Sequence, residues 1–166
     1  MNVIQQGPAT RSVRIFSVDP VEQARRVEEA IARRAYQIFE RHGGMGWHEL
    51  EDWRQAESEV RSKLCFSLSS SDDSLLVGFD VARFEQGSVE VWIAPRQMTI
   101  WGRPIRHQEQ SPGAVRSYDG IVFRTIALPV EIEPGRAVAN IKRGFVEIRL
   151  PMTRPKYEEQ SRMQAA

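Results

Sequence analysis

From residue 75 onward, apolar side chains recur at every second position. Leu75, Val77, Phe79 and Val81 alternate with Leu76, Gly78, Asp80 and Ala82; Val89, Val91 and Ile93 alternate with Glu90 and Trp92; Met98 and Ile100 alternate with Thr99 and Trp101. Residues 123–130, 137–141 and 145–150 continue the series, and in the last of them Val146, Ile148 and Leu150 share one phase with Glu147 and Arg149 on the other. A period of two places one face of each strand on a core and the other outward. Glu85-Gln-Gly87, Ala94-Pro-Arg96, Glu133-Pro-Gly135 and Lys142-Arg-Gly144 supply turns between the runs. Many short strands separated in this way predict an antiparallel sandwich or a small barrel. The runs have no helical crossover pattern between them, which argues against a doubly wound sheet.

Before residue 67 the period is longer. Val27, Ile31, Ala35 and Ile38 recur every three or four residues, with Phe39 beside them, and predict a helix entered at Asp19-Pro20 and ended at His42-Gly43-Gly44. Aspartate at the cap accepts orphan amide protons, proline is tolerated at the first helical position, and glycine takes the left-handed cap. Trp53, Ala56, Val60 and Leu64 predict a second helix over 49–64, so the two form a helical hairpin. Helices this short are marginal alone. Their stripes must bury against each other, against the β region or against a second chain. The chain thus divides into a mobile arm over 1–18, the hairpin over 19–66, the β region over 67–152 and a polar tail over 153–166.

Composition narrows the class. Hydrophobic residues make up 41% of the chain, and 23 basic against 22 acidic side chains leave a formal charge of +1. That balance exerts no global pull on nucleic acid or anionic lipid. Arg11, Arg14, Arg25, Arg26, Arg33 and Arg34 are interleaved with acids, so neither a nucleic-acid nor a membrane partner is expected. The single cysteine, Cys65, excludes an internal disulfide and fits a reducing compartment. The first residues lack the apolar run of a signal peptide, and no stretch is long and apolar enough to span a bilayer, so the expected location is cytoplasmic.

Reactive chemistry is not signalled. His42, His48 and His107 lack metal-motif spacing, and Cys65 reads as a small buried hydrophobe at the end of a helix. Gly43-Gly-Met-Gly46 has neither a preceding strand nor a following Lys-Ser/Thr, so it reads as a helix–helix turn rather than a phosphate loop. No catalytic residue, metal or cofactor is expected. The tryptophans carry more information. Trp92 and Trp101 lie on the polar phase of their strands, where they pack locally, lie under a covered sheet face, or form a contact surface for a partner subunit or an apolar client. Trp47 and Trp53 bracket the start of the second helix and are expected in the hairpin's own core.

Five segments then follow in a telling order: Leu75-Leu-Val-Gly-Phe-Asp-Val-Ala-Arg-Phe84, Glu90-Val-Trp-Ile93, Gln97-Met-Thr-Ile-Trp-Gly102, Phe123-Arg-Thr-Ile-Ala-Leu-Pro129, and Ala139-Asn-Ile-Lys-Arg-Gly-Phe-Val-Glu-Ile-Arg-Leu-Pro151. Together they resemble the alpha-crystallin domain of small heat-shock proteins, over about half of the chain. Ala82-Arg83 stands where that family usually has Pro-Gly. The hairpin, through Ala35-Tyr-Gln-Ile-Phe39 and Trp53-Arg-Gln-Ala-Glu57, resembles a short bacterial domain of unknown function.

The resemblance implies an immunoglobulin-like antiparallel β-sandwich and an ATP-independent stress-response chaperone that holds partly unfolded proteins, with no enzymatic activity and no cofactor. It implies a homodimer as the minimal unit, with Arg124 and His107 at the dimer interface and the segment 102–122 long enough to carry a strand across to a partner subunit. Leu76, Trp92 and Trp101, together with Val13, Ile15 and Phe16 of the arm, are the candidate client contacts. Family members usually carry an alternating Ile/Val pair beyond the last strand that plugs a groove on a neighbour. Residues 152–166 have none, which argues against a large cage, leaves a dimer as the minimal unit with any further association left to the arm or the hairpin, and leaves the groove open to clients. The alternative is an assembly module on the same sandwich that recognises one partner and has no chaperone role.

Overall fold

The computed structural model describes residues 2–4, 12–105 and 120–153. Among them the chain forms strands β1 (Asn2–Ile4) and β2 (Val13–Ser17), helices α1 (Pro20–Arg41) and α2 (Glu49–Val60), and strands β3 (Phe66–Ser70), β4 (Ser74–Asp80), β5 (Val89–Ala94), β6 (Gln97–Gly102), β7 (Val122–Ala127), β8 (Val138–Lys142) and β9 (Phe145–Pro151).

The first helix begins and ends where the sequence places it, whereas the second starts at Glu49 as expected but stops at Val60, short of Leu64, because Arg61 turns to extended backbone. The Asp19 carboxylate accepts the Val21 amide at 2.8 Å, with Pro20 next in the chain. Gly43 and Gly44 take φ of 85° and 68°, and the Gly44 amide closes on the Phe39 carbonyl at 3.1 Å. That left-handed exit satisfies carbonyls the helix leaves open. Glu49, Glu51 and Asp52 stand in the first turn of α2, where acidic groups complement the helix dipole.

The strands make two sheets, in the orders β1-β2-β5-β6-β7 and β3-β4-β9-β8. Their inward phases meet in one apolar core that includes Val77, Phe79, Val91, Ile93, Ile100, Val146, Ile148 and Leu150. Register explains the match: β4 and β9 pair antiparallel with Leu75 opposite Leu150, Val77 opposite Ile148 and Phe79 opposite Val146, so inward residues share one face. Arg143 and Gly144, with φ of 51° and 84°, form the two-residue turn that joins β8 to β9. Such primed turns follow the right-handed twist of a hairpin. The segment from Lys142 to Pro151 is therefore scaffold.

Three further features differ from the sequence expectations. Residues 13–17, expected in a mobile arm, form β2, and β2 runs parallel to β5 with Val13 opposite Val89 and Ile15 opposite Val91. Its inward pair, Val13 and Ile15, completes the core from the second strand of the sheet, just inside β1. Trp47, expected in the hairpin's core, is 93% exposed because it lies in the loop ahead of α2, off both helical stripes. Cys65 is exposed instead of buried, since α2 ends at Val60 and the thiol falls in the link to β3.

Candidate functional site

The five-stranded sheet is covered on both sides. Its inner face meets the second sheet, and its outer face lies beneath the hairpin. That outer face carries the polar phase of the strands: Trp92 opposite Thr99, Trp101 opposite both Glu90 and Phe123, and Thr99 opposite Thr125. Phe16, opposite Trp92 on β2, extends it. Ring centroids run from Phe16 to Trp92 at 5.9 Å, to Trp101 at 6.4 Å and to Phe123 at 5.0 Å. The alternation that seals the core thus places four aromatic rings in a row across the opposite face.

The hairpin supplies the other half. Ile31 and Ile38 of α1 and Ala56 and Val60 of α2 form a second buried cluster with Trp101 and Phe123, and Val27, Ala35, Trp53 and Trp92 pack around it. Two unpaired apolar surfaces, a helical stripe and a row of aromatics, bury one another.

Polar groups thread through this seam. Gln23 is fully buried, and its Nε2 donates to the Thr99 hydroxyl at 2.7 Å and the Trp92 carbonyl at 3.1 Å. The Arg26 guanidinium lies 4.1 Å from the Trp92 ring centroid and 4.6 Å from that of Trp101, and pairs with Glu90 at 2.9 Å. Glu90 also pairs with Arg14 at 2.6 Å and accepts from the Trp92 indole at 3.3 Å. A cation held over two indole faces with its counter-ion beside it is a favourable contact. Beside this cluster, between α1 and the sheet, opens a cleft of about 460 Å³ walled in part by Arg25, Arg33 and Arg103.

The structure joins Phe16, Trp92 and Trp101 of the candidate client contacts and separates the rest. Trp92 is partly exposed and Trp101 is 2% exposed under the hairpin. Val13 and Ile15, expected as mobile contacts, are core residues at 1% and 6% exposure, because their phase on β2 faces inward. Leu76 is half-buried on β4, in the other sheet. Arg124 is exposed on β7, an edge strand, with its guanidinium 5.5 Å from the ring of Phe66 on β3, an edge of the other sheet. His107 lies outside the described residues. Of the other histidines, His42 contacts Asp52 at 3.0 Å and His48 contacts Glu51 at 2.9 Å, both local to the hairpin. Phe123, Gln23, Arg26 and Glu90 were not among the candidates. Their signal was the phase they share with Trp92 and Trp101, or the α1 face that meets it.

This arrangement offers surface rather than reagents. Among the described residues no group of three His, Cys, Asp or Glu could hold a metal ion, and no helix is long and apolar enough to cross a membrane.

Comparison with known proteins agrees with the architecture. The family model described as "Hsp20/alpha crystallin family" matches residues 68–164, more than half of the chain. A second, described as "Protein of unknown function (DUF2934)", matches residues 26–62. No curated protein matches. Similar solved structures include heat shock protein 16.0 from Schizosaccharomyces pombe, 20% identical, covering 57% of this chain and 70% of that one with a TM-score of 0.47. The Del-C4 mutant of hsp14.1 from Sulfolobus solfatataricus P2 is 19% identical, with 71% and 95% covered and a TM-score of 0.44. A small heat-shock protein from Xylella fastidiosa is 18% identical, with 57% and 93% covered and a TM-score of 0.43.

Proposed function

The chain belongs to the Hsp20/alpha crystallin family, whose members are non-enzymatic chaperones that bind unfolded proteins and form oligomers, and from that premise we propose that it is an ATP-independent holdase. Partial unfolding exposes apolar surface on a client, and association with apolar surface on the holdase removes both from water. No bond is made or broken in this cycle.

The observation that carries the reading is the row Phe16–Trp92–Trp101–Phe123. Each aromatic side chain buries about 150–250 Å² when fully covered. Four of them approach the ~800 Å² that one partner contributes to a standard interface. Trp101 and Phe123 lie under the hairpin, so the row is large enough to retain a client once the hairpin is displaced, and it is the surface we assign to client binding.

Arg124 we assign to the subunit interface. It stands with Phe66 where the edges of the two sheets meet, and Leu68 nearby on β3 is 38% exposed. The outer side of β7 is bonded at Phe123 by the Ser62 amide, and beyond that contact edge strands offer backbone groups to a second chain. A homodimer built on this seam is the proposed minimal unit, working in the cytoplasm under stress.

Light scattering tests the function. A heat-destabilised client is warmed with and without the full chain, in the absence of nucleotide. Suppression of scattering for several unrelated clients is the expected result. Suppression for none, at molar excess, refutes the holdase reading, and a stoichiometric complex with one partner alone identifies the chain as an assembly module instead.

A further inference from the structure

We propose that the helical hairpin is a reversible cover on the aromatic face, and that client access requires α1 and α2 to lift from the sheet. The consequence for clients rests on the holdase reading; the structural part does not.

The seam under the hairpin is built unlike the sandwich core. The core joins apolar side chains from both sheets. The seam buries a smaller apolar set interrupted by Gln23, Arg26 and Glu90. Among the described residues, the buried side-chain polar atoms without a partner are Gln23 Oε1, Trp101 Nε1 and Arg14 Nε. All three belong to residues of this seam or to its Glu90 ion pair. Lifting the hairpin would return these atoms to water, whereas opening the core would expose only oil. The cleft beside Trp92 and Trp101 already interrupts the packing along one side.

The connections suit such a motion. α1 follows β2 through Val18 and Asp19, and the Val18 amide is held by the Ile93 carbonyl at 2.9 Å. α2 returns through residues 61–65, where the Ser62 amide is held by the Phe123 carbonyl at 2.7 Å. Both tethers are short and remain fixed to the sheet, so the hairpin swings without escaping. Hinges of a few residues at element ends are the usual means of such opening. The helices hold each other through Arg34 and Glu59 and through His42 and Asp52, so they move as a pair. Closed, the hairpin buries Trp101 and Phe123 and leaves Phe16 and Trp92 half-buried; open, the face presents all four rings together.

Native-state hydrogen exchange on the full chain is the test. Amides of α1 and α2 are expected to exchange roughly a hundredfold faster than those of β4 and β9, through a sub-global opening. Arg26→Ala, which removes the cation over both indoles and its bond to Glu90, is expected to speed hairpin exchange roughly tenfold more and leave β4 and β9 unchanged. Equal exchange of hairpin and sandwich in both proteins overturns the proposal. A second arm closes the cover: Ala24 and Gln97 line one cleft across the seam. In a Cys65→Ser background, Ala24→Cys and Gln97→Cys are bridged by a short bis-thiosulfonate. Bridging is expected to abolish protection of a heat-destabilised client, and reduction to restore it. Full protection by the bridged protein overturns the proposal. If no form protects any client while the exchange contrast holds, the holdase reading fails and the detachable hairpin stands.

Discussion

Ile15→Ala probes the strand the sequence reading did not find. Ile15 is 6% exposed, so nearly its whole side chain leaves water when β2 docks on β5. The substitution deletes three buried carbons, about 2.4 kcal/mol of transfer free energy at about 0.8 kcal/mol each. A residual cavity adds to this, and Ile→Ala changes in cores span about 2–5 kcal/mol. β2 lies near the edge of its sheet, flanked outwardly only by the three-residue β1, so the site can partly collapse. The expected loss is therefore about 2.5 kcal/mol, or roughly 5–10 °C in melting temperature for a chain of this size. Thermal denaturation followed by far-ultraviolet circular dichroism measures it, with Ile148→Ala in the central strand β9 as the reference and expected to lose more. A shift below about 1 °C for Ile15→Ala, with Ile148→Ala strongly destabilised, would mean that residues 13–17 are undocked in solution and that the reasoning about the β5 edge is wrong.

Other consequences follow from single sites. A Cβ at Gly102 would stand 2.4 Å from Phe84 Cδ1, and that ring is 4% exposed. Gly102→Ala should therefore destabilise by about 1–3 kcal/mol, and the double variant with Phe84→Ala should lose less than the sum of the singles in urea melts. Asp73 accepts from the Ser74 hydroxyl at 2.6 Å and from Arg149 at 3.0 Å, and these bonds, Ser74's first, hold its pKa below the ordinary carboxylate value. A carboxylate depressed on folding contributes stability above its unfolded pKa and loses it as pH falls through the folded value. Carboxyl-detected NMR should find Asp73 titrating below the ordinary range, and Ser74→Ala should move it upward.

The strands of the sandwich were legible because each phase has a single consistent environment. Val146, Ile148 and Leu150 face one core, and the turn at Gly144 leaves the chain little choice. The helices were legible for the same reason, with the Asp19-Pro20 start and the Gly43-Gly44 stop adding local chemistry. β2 was not legible. It is five residues long, bears only two inward side chains, and pairs in parallel with a strand 76 residues away, Val13 opposite Val89, so no local pattern encodes it. Trp47 and Cys65 misled because an aromatic ring and a thiol were assigned burial by residue type while their backbone lies in loops. The seam was half visible: the stripe of Ile31 and Ile38 needed a partner, and Trp92 and Trp101 lay on a phase expected to meet water. Each surface is legible from its own pattern; that they cover one another depends on where β2 and residues 61–65 tether the hairpin.

The central claim is that clients seat on the aromatic row of the five-stranded sheet. Photo-crosslinking addresses it most directly. A photoreactive amino acid replaces Trp92 on that row, or Glu147, whose side chain lies on the exposed phase of β9, and the full chain is irradiated with a client during heating. Client adducts that form from position 92 on heating, and not from position 147, are the predicted result; adducts from position 147 alone, or equally from both, would contradict the account.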